Sequence, residues 1–306
     1  MFTFKLTPRK NQTMKTRITS NLRPFLHGFH ASLIAIVVLW AMPRNACAQL
    51  YVLRGTKIGF VSEYDAKTGK VINANFITGL SSPVAIAVSG NSNTLFVTNN
   101  DIGTVGKYDA NTGGAINAGF ITGLSIPVGI AVSGNTLFVE YNDSTIGAYD
   151  ATTGAVINPS FIKLNAPQRL AVSGNNLFVT YGNTGYGPKL GAYDATTGVA
   201  INPSLIKAFY ALATLVVRNN IVFVVNNGTI GKYNANTGAA INARFITGLH
   251  GPVGLALSGN KLFVDRLGRS LDSKVSEYNV STGEVIDGNF ITGLGWTDDI
   301  AVKSTE

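Results

Sequence analysis

Six copies of one short phrase govern what this chain can fold into. Tyr-Asp-Ala or a close variant recurs at Tyr64, Tyr108, Tyr149, Tyr193, Tyr233 and Tyr278, at spacings of 44, 41, 44, 40 and 45 residues. A Thr-Gly pair follows each: Thr68-Gly69, Thr112-Gly113, Thr153-Gly154, Thr197-Gly198, Thr237-Gly238 and Thr282-Gly283. Ile-Asn or Ile-Asp comes next, then usually Phe-Ile-Thr-Gly-Leu, then Pro-Val-Gly-Ile-Ala-Val, Ser-Gly-Asn and Leu-Phe-Val. A fixed period of this length marks an array of supersecondary units, none of which can bury its apolar surface alone.

Each repeat contains four short runs suited to strands. Around the second copy they are Thr104–Asp109, Ala115–Thr122, Pro127–Val132 and Leu137–Glu140. Val, Ile, Phe, Tyr and Thr fill them, and Gly, Asn, Asp and Ser punctuate between. No run has the length of an ordinary helix. Ser-Gly-Asn is a hairpin signal, because Gly and Asn tolerate positive φ. Runs such as Ile130-Ala131-Val132 are apolar on both sides of the strand, which suits a sheet covered on both faces. Four antiparallel strands every 40 to 45 residues predict an all-β chain, a six-bladed β-propeller in which the blades cover one another around an axis.

The two ends of the repeat region predict how the ring closes. Leu50-Tyr51-Val52 is the first Leu-Phe-Val equivalent and has no Ile-Ala-Val run before it. Ile300-Ala301-Val302 has no Leu-Phe-Val after it. The N-terminal piece therefore supplies three strands of one blade, and the C-terminal piece supplies the fourth.

Residues 1–48 read as an export signal, leaving 49–306 as the propeller. A basic stretch precedes an apolar run of twelve residues, Ala31 to Met42, broken only by Ser32, and the small triplet Ala46-Cys47-Ala48 stands before Gln49. A spanning helix needs about 20 apolar residues, so no membrane span is expected once the signal is removed. Cys47 is the only cysteine, so no disulfide framework and no thiol chemistry is expected in the exported part. The net charge of +8 is misleading, because seven of the 24 basic residues and no acidic residue precede position 49. The remainder carries 17 basic and 16 acidic residues. A nearly neutral body lacks the clustered Lys and Arg that release counterions from nucleic acid, and nucleic-acid binding is excluded on that ground. A secreted, periplasmic or cell-surface protein is expected.

The phrase Pro-Val-Gly-Ile-Ala-Val, followed by Gly-Asn and Leu-Phe-Val, resembles the NHL-type repeat. The six-bladed plan over residues 50–303 is similar to the SMP-30/gluconolactonase-like propellers. The wording Tyr-Asp-Ala-x-Thr-Gly resembles repeats of secreted bacterial proteins. The lactonase resemblance implies a metal held near the channel by a Glu and other oxygen ligands. The inner strands here contain no Glu, and no catalytic residue is carried over.

Comparison of the six copies places any site. The Ser-Gly-Asn and Thr-Gly turns barely change, whereas the loops after Leu-Phe-Val and the loops entering each inner strand vary. In an up-and-down blade these two variable connections emerge on one face, and loops on a rigid scaffold commonly carry function. Arg169 and Asp299 occupy one repeat position, where other copies have Ala85, Gly129, Thr214 and Gly254. Three blades separate them, so they should face each other across the channel. Arg169, Asp298, Asp299, Trp296, Tyr141, Tyr181 and Tyr210 are the candidate ligand-binding residues, the aromatics suiting sugar rings or peptides. Asp101, Asp143, Asp265 and Asp299 are candidate oxygen ligands for Ca²⁺, the only cofactor the residues suggest. His250 is the sole histidine after the signal and the one a Ser-His-Asp triad would need, but it stands in a loop where other copies place Ser, Ile or Gly, and no catalytic role is expected of it. The expected function is an exported, non-enzymatic binding or scaffold propeller, contacting a protein, peptide or glycan through the variable face. A metal-dependent lactonase or hydrolase is the alternative, and a purely structural surface protein a third reading.

Overall fold

The computed structural model describes residues 48–55, 57–90, 93–182, 188–207, 214–267 and 273–303. Blade 1 begins with β1 (Gln49–Gly55), β2 (Ile58–Asp65) and β3 (Val71–Ser81). Blade 2 is β4 (Pro83–Ser89), β5 (Thr94–Asn99), β6 (Thr104–Asp109) and β7 (Ala115–Ile121). Blade 3 is β8 (Pro127–Ser133), β9 (Thr136–Tyr141), β10 (Thr145–Asp150) and β11 (Val156–Lys163). Blade 4 is β12 (Pro167–Ser173), β13 (Asn176–Tyr181), β14 (Lys189–Asp194) and β15 (Ala200–Lys207). Blade 5 is β16 (Leu215–Arg218), β17 (Ile221–Asn226), β18 (Thr229–Asn234) and β19 (Ala240–Ile246). Blade 6 is β20 (Pro252–Ser258), β21 (Lys261–Arg266), β22 (Lys274–Asn279) and β23 (Val285–Ile291). The last strand, β24 (Thr297–Lys303), returns to blade 1 as its inner strand, giving the order β24-β1-β2-β3.

All six sheets are four-stranded and antiparallel. The inner strands touch in a closed cycle, β4 to β8, β12, β16, β20, β24 and back to β4. The ring is therefore a six-bladed propeller closed by three strands from one end of the repeat region and one from the other. Blade and sequence repeat are offset. The four runs read around the second copy divide between two sheets, with Thr104–Asp109 in blade 2 and Pro127–Ser133 in blade 3. Ala48, the residue expected to end the signal, is half-buried, and its carbonyl accepts a hydrogen bond from the Ala66 amide.

Six apolar clusters lie one to each junction between neighbouring blades. Between blades 1 and 2, Tyr51, Leu53 and Val61 pack on Ile86, Leu95 and Val97. Between blades 6 and 1, Phe263 and Val275 pack on Leu50, Val52 and Ile300. This explains strands apolar on both sides, since each sheet buries both faces. The Asp-x-x-Thr-Gly turns are fixed locally. Asp109 Oδ1 accepts from the Asn111 and Thr112 amides and from Thr112 Oγ1, at 2.8, 2.9 and 3.1 Å. Asp65, Asp150 and Asp194 repeat the arrangement, in which a short acidic side chain substitutes for a backbone turn.

The glycine of the same turn serves the junction. A β-carbon on Gly113 would lie 2.0 Å from the Phe76 carbonyl oxygen of the preceding blade, and one on Gly154 would lie 2.5 Å from that of Phe120. The outer strands close the blades with irregular pairing. Bulges of this kind interrupt an edge that would otherwise invite further strands.

Candidate functional site

Two adjoining spaces on the axis and its variable face draw on the most individual residues of the repeat. At one repeat position stand Ala85, Gly129, Arg169, Thr214, Gly254 and Asp299, and all but Gly254 line an axial cavity. The next residue in each copy is aliphatic, and Ile86, Ile130, Leu170, Leu215, Leu255 and Ile300 form a collar around this cavity of about 100 Å³. Arg169 and Asp299 both line this cavity, from β12 and β24. Three blades separate them, as the repeat register predicts.

The carboxylates around the cavity are mostly withdrawn from water. Asp299 Oδ2 accepts from the Ile86 amide at 3.2 Å, and Oδ1 accepts from the Ile300 amide at 2.9 Å. Burial pushes its pKa up to about 6, and the charge of Arg169 opposes that rise. Asp298 Oδ1 accepts from Trp296 Nε1 at 3.1 Å, and burial raises Asp298 to about 6 as well. Asp265, on β21 opposite Gly254, is fully buried and accepts from Thr297 Oγ1 at 2.9 Å. Burial, reinforced by the charges of Asp299 and Asp298, pushes it up to about 7.

Glu140 was not among the residues singled out from sequence. It lies on β9 opposite Gly129 and is fully buried, with neither carboxylate oxygen hydrogen-bonded among the described residues. A β-carbon on Gly129 would lie 2.5 Å from Glu140 Oε2, so the glycine leaves the space that the carboxylate takes. Burial pushes Glu140 up to about 7, against the pull of Arg169. The residue after Leu-Phe-Val was the available signal: Thr98, Glu140, Thr180, Val225 and Asp265. The two acidic members stand opposite the two glycines of the axial ring.

The other predicted residues divide. Trp296 is 41% exposed and stays on the variable face beside Asp298. Tyr141 and Tyr181 do not lie on that face as open platforms. Both are the last residues of their strands, buried at 5% and 7% exposure in the junctions between blades. The Tyr141 hydroxyl meets that of Tyr149, and the Tyr181 hydroxyl donates to the Pro203 carbonyl. Each ring turns inward because the strand runs two residues further than the Leu-Phe-Val phrase, so Tyr141 and Tyr181 share a face with Val139 and Val179 in the junctions between sheets. Tyr210 lies outside the described residues.

The proposed Ca²⁺ ligands are not brought together. Asp101 is exposed and accepts from Ser82 Oγ at 2.7 Å. Asp143 is exposed in another loop and accepts from the Thr145 amide at 3.1 Å. Asp265 is buried beneath the ring. Among the described residues no three His, Cys, Asp or Glu side chains are grouped as metal ligands. The donor set therefore does not fit a Ca²⁺ cage, which needs six to eight converging oxygens.

The second space is a groove of about 540 Å³ on the variable face, between blades 5 and 6. Val225, Leu249, Pro252, Val253 and Leu267 give it an apolar lining, and Asn227 and His250 give it polar groups. Arg169 lines both the groove and the axial cavity. Backbone hydrogen bonds join the variable loops beneath it, from the Leu267 amide to the Gly251 carbonyl and from the Leu249 amide to the Gly228 carbonyl, both 2.9 Å.

Comparison with known proteins agrees with the fold. A chain in the crystal structure of a nidogen/laminin complex superposes with a TM-score of 0.69 at 14% identity, covering 84% of this chain and 98% of that one. The gluconolactonase of Xanthomonas campestris gives a TM-score of 0.57 at 13% identity, covering 71% and 78%. The hydrazine synthase of Kuenenia stuttgartiensis gives 0.55 at 19% identity, covering 74% and 71%. At these identities the likeness is one of fold. No curated protein sequence matches the chain. A family profile does match, across residues 57–288. By that match the chain belongs to the family described as outer membrane protein assembly factor BamB.

Proposed function

We propose that this chain is an exported propeller that binds a protein segment in the groove between blades 5 and 6. Residues 1–48 act as its export signal, and its place of work is the periplasm or the cell surface. The observation that carries this reading is the groove itself. Its volume of about 540 Å³ lies in the range of natural ligand clefts, which are mainly apolar with a few fixed polar groups. Apolar side chains of a partner would lie against Val253 and Leu267, and Arg169 would meet a polar group at the inner end. The family's description as an assembly factor supports a protein partner.

The lactonase alternative needs converging oxygen ligands beside an acid of raised pKa. The buried acids supply only the second of these, and the binding reading is the better supported. The test is a selection of displayed random peptides on the full chain. Binding peptides rich in apolar residues are expected, and Val253→Glu and Leu267→Glu should each abolish capture without lowering the melting temperature. Selected peptides that bind both variants as tightly as the parent chain would refute the reading.

A further inference from the structure

At four junctions between blades a lysine ammonium group reaches the turn of the next blade, and always at the same place. Lys107 Nζ donates to the Ala151 and Thr152 carbonyls at 2.9 and 3.1 Å, and lies 4.6 Å from the centre of the Phe120 ring. Lys232 Nζ donates to the Val280 carbonyl at 3.1 Å and lies 4.8 Å from the Phe245 ring. Lys261 Nζ reaches the Ala66 carbonyl at 3.5 Å, over Phe290, and Lys303 Nζ donates to Asn111 Oδ1 at 2.5 Å. Ala66, Ala151 and Val280 occupy one repeat position, and Asn111 and Thr152 the next. The lysines arrive from different strands of the blade: Lys303 from the inner strand, Lys261 from the second, Lys107 and Lys232 from the third. A seat reached by three routes owes its preference to its own groups, which are turn oxygens beside an aromatic face that attracts a cation. It needs no carboxylate, since none among the described residues pairs with Lys232.

Blade 4 carries none of these lysines. Ser173 stands at the position of Lys303, and Asn176 at that of Lys261. Ala192 lies opposite Phe178, as Lys107 lies opposite Phe96 and Lys232 opposite Phe223. Leu205 also stands where the other five copies have Phe. Blade 3 lacks the lysine too, with Ser133, Thr136 and Ala148, but keeps the second ring, Phe161, 5.4 Å from Phe138. The groups of the seat persist between blades 4 and 5, in Phe178 and in Ala235-Asn236, which match Ala110-Asn111 and Ala151-Thr152. There a cleft of about 320 Å³ is lined by Ser173, Asn176, Phe178, Ala235 and Asn236. Two of the three lysine positions and both turn residues thus face one space. Its volume equals roughly ten water volumes, ample for a four-carbon stem and its nitrogen. We propose that this cleft binds a primary alkylammonium group supplied from outside the chain, seated over Phe178 with its nitrogen at the Ala235 carbonyl and Asn236. A free short-chain amine and a lysine side chain of a partner present the same chemistry. The cleft lies among the Ser-Gly-Asn and Thr-Gly turns, at the other end of the strands from the lateral groove, and the inference does not depend on that groove.

The test is thermal unfolding of the full chain with n-butylammonium chloride at millimolar concentration. Sodium chloride, tetramethylammonium chloride and 1-butanol are the controls, lacking the stem, the N–H donors and the charge in turn. A ligand held only by the folded state raises the melting temperature by mass action. The rise is expected for n-butylammonium and absent for all three controls. Asn176→Lys and Ser173→Lys place a lysine of the chain itself at the positions of Lys261 and Lys303, and each should abolish the response. Either variant alone decides the matter if the other fails to fold. Phe178→Leu should weaken apparent affinity roughly fivefold, on the scale of a lost cation–ring contact.

A second arm compares a short peptide containing one lysine with its norleucine counterpart. A lysine peptide that acts at lower concentration than n-butylammonium, with the response lost in Asn176→Lys, assigns the ammonium to a partner's lysine. An amine that acts at the same or lower concentration assigns it to a free amine. No response to either probe overturns the proposal. So does a response that survives in both lysine variants, or one that 1-butanol or the norleucine peptide reproduces. Val253→Glu should leave the amine response unchanged, which separates this site from the groove.

Discussion

Val52 of the first strand and Ile300 of the last are direct partners in blade 1, and both lie in the apolar cluster between blades 6 and 1. The ring is thus latched by a strand pair from opposite ends of the repeat region. Truncation after Trp296 removes β24 and with it the burial of Ile300 and Ala301. It also exposes the inner edge of β1. The expected loss is at least about 5 kcal/mol, from the apolar burial and the ladder of hydrogen bonds together. Urea unfolding of the truncated and full chains checks this; coincident midpoints would show that the latch contributes nothing.

The acids around the axis predict how stability varies with pH. Glu140 and Asp265 are pushed up to about 7, and Asp298 and Asp299 to about 6, all chiefly by burial. Between the ordinary carboxylate range and pH 7, the folded chain holds protons that the unfolded chain has released. Stability therefore falls as pH rises through this window. Asp150 and Asp194 act in the opposite sense. Turn hydrogen bonds hold them below the usual range, so their contribution is lost at lower pH. Glu140→Gln should flatten the decline between pH 4.5 and 7 by up to about 3 kcal/mol, measured as unfolding free energy across that range. An unchanged slope would mean that Glu140 is solvated.

The number of blades, the closure and the placing of Arg169 and Asp299 on one axial cavity were legible in the sequence. Each follows from counting one phrase and aligning its copies. The chemistry of the site was less legible, for two physical reasons. Tyr141 and Tyr181 come just after Leu-Phe-Val and look like loop aromatics, yet each strand extends by two residues and packs the ring between blades. Glu140 gains meaning only from its partner Gly129, and that pairing depends on strand register, which no local motif displays. The groove is also hidden, because Arg169 of blade 4 and Val253 of blade 6 are brought together only by the closed ring.

The glycine of a Thr-Gly turn, Gly113, and that of the Phe-Ile-Thr-Gly-Leu phrase in β3, Gly79, separate two roles of glycine. Gly113 and Gly79 both have positive φ, at 73° and 74°. A β-carbon on Gly79 meets nothing within 4 Å, whereas one on Gly113 would lie 2.0 Å from the Phe76 carbonyl oxygen. Gly79→Ala should cost only the backbone term, about 1 kcal/mol. Gly113→Ala adds displacement of a neighbouring blade, for a total of about 3 kcal/mol. Chemical denaturation of both variants decides; equal losses would place the invariance of this turn in the turn alone.

Glycine opposite an acid is the same economy of space used at the axis. A β-carbon on Gly129 would lie 2.5 Å from Glu140 Oε2 and 3.1 Å from Glu140 Cβ. The carboxylate end can swing aside, but its β-carbon is fixed by the strand, so Gly129→Ala should cost about 1–3 kcal/mol. Glu140→Ala removes the obstruction together with a buried, unpartnered charge. Placed together, the two alanines should fit side by side, and the double variant should recover at least about 1 kcal/mol relative to the sum of the single changes. The sign of this coupling is diagnostic. A positive recovery requires the Glu140 side chain to lie over Gly129 of the inner strand. Strict additivity would place that side chain elsewhere.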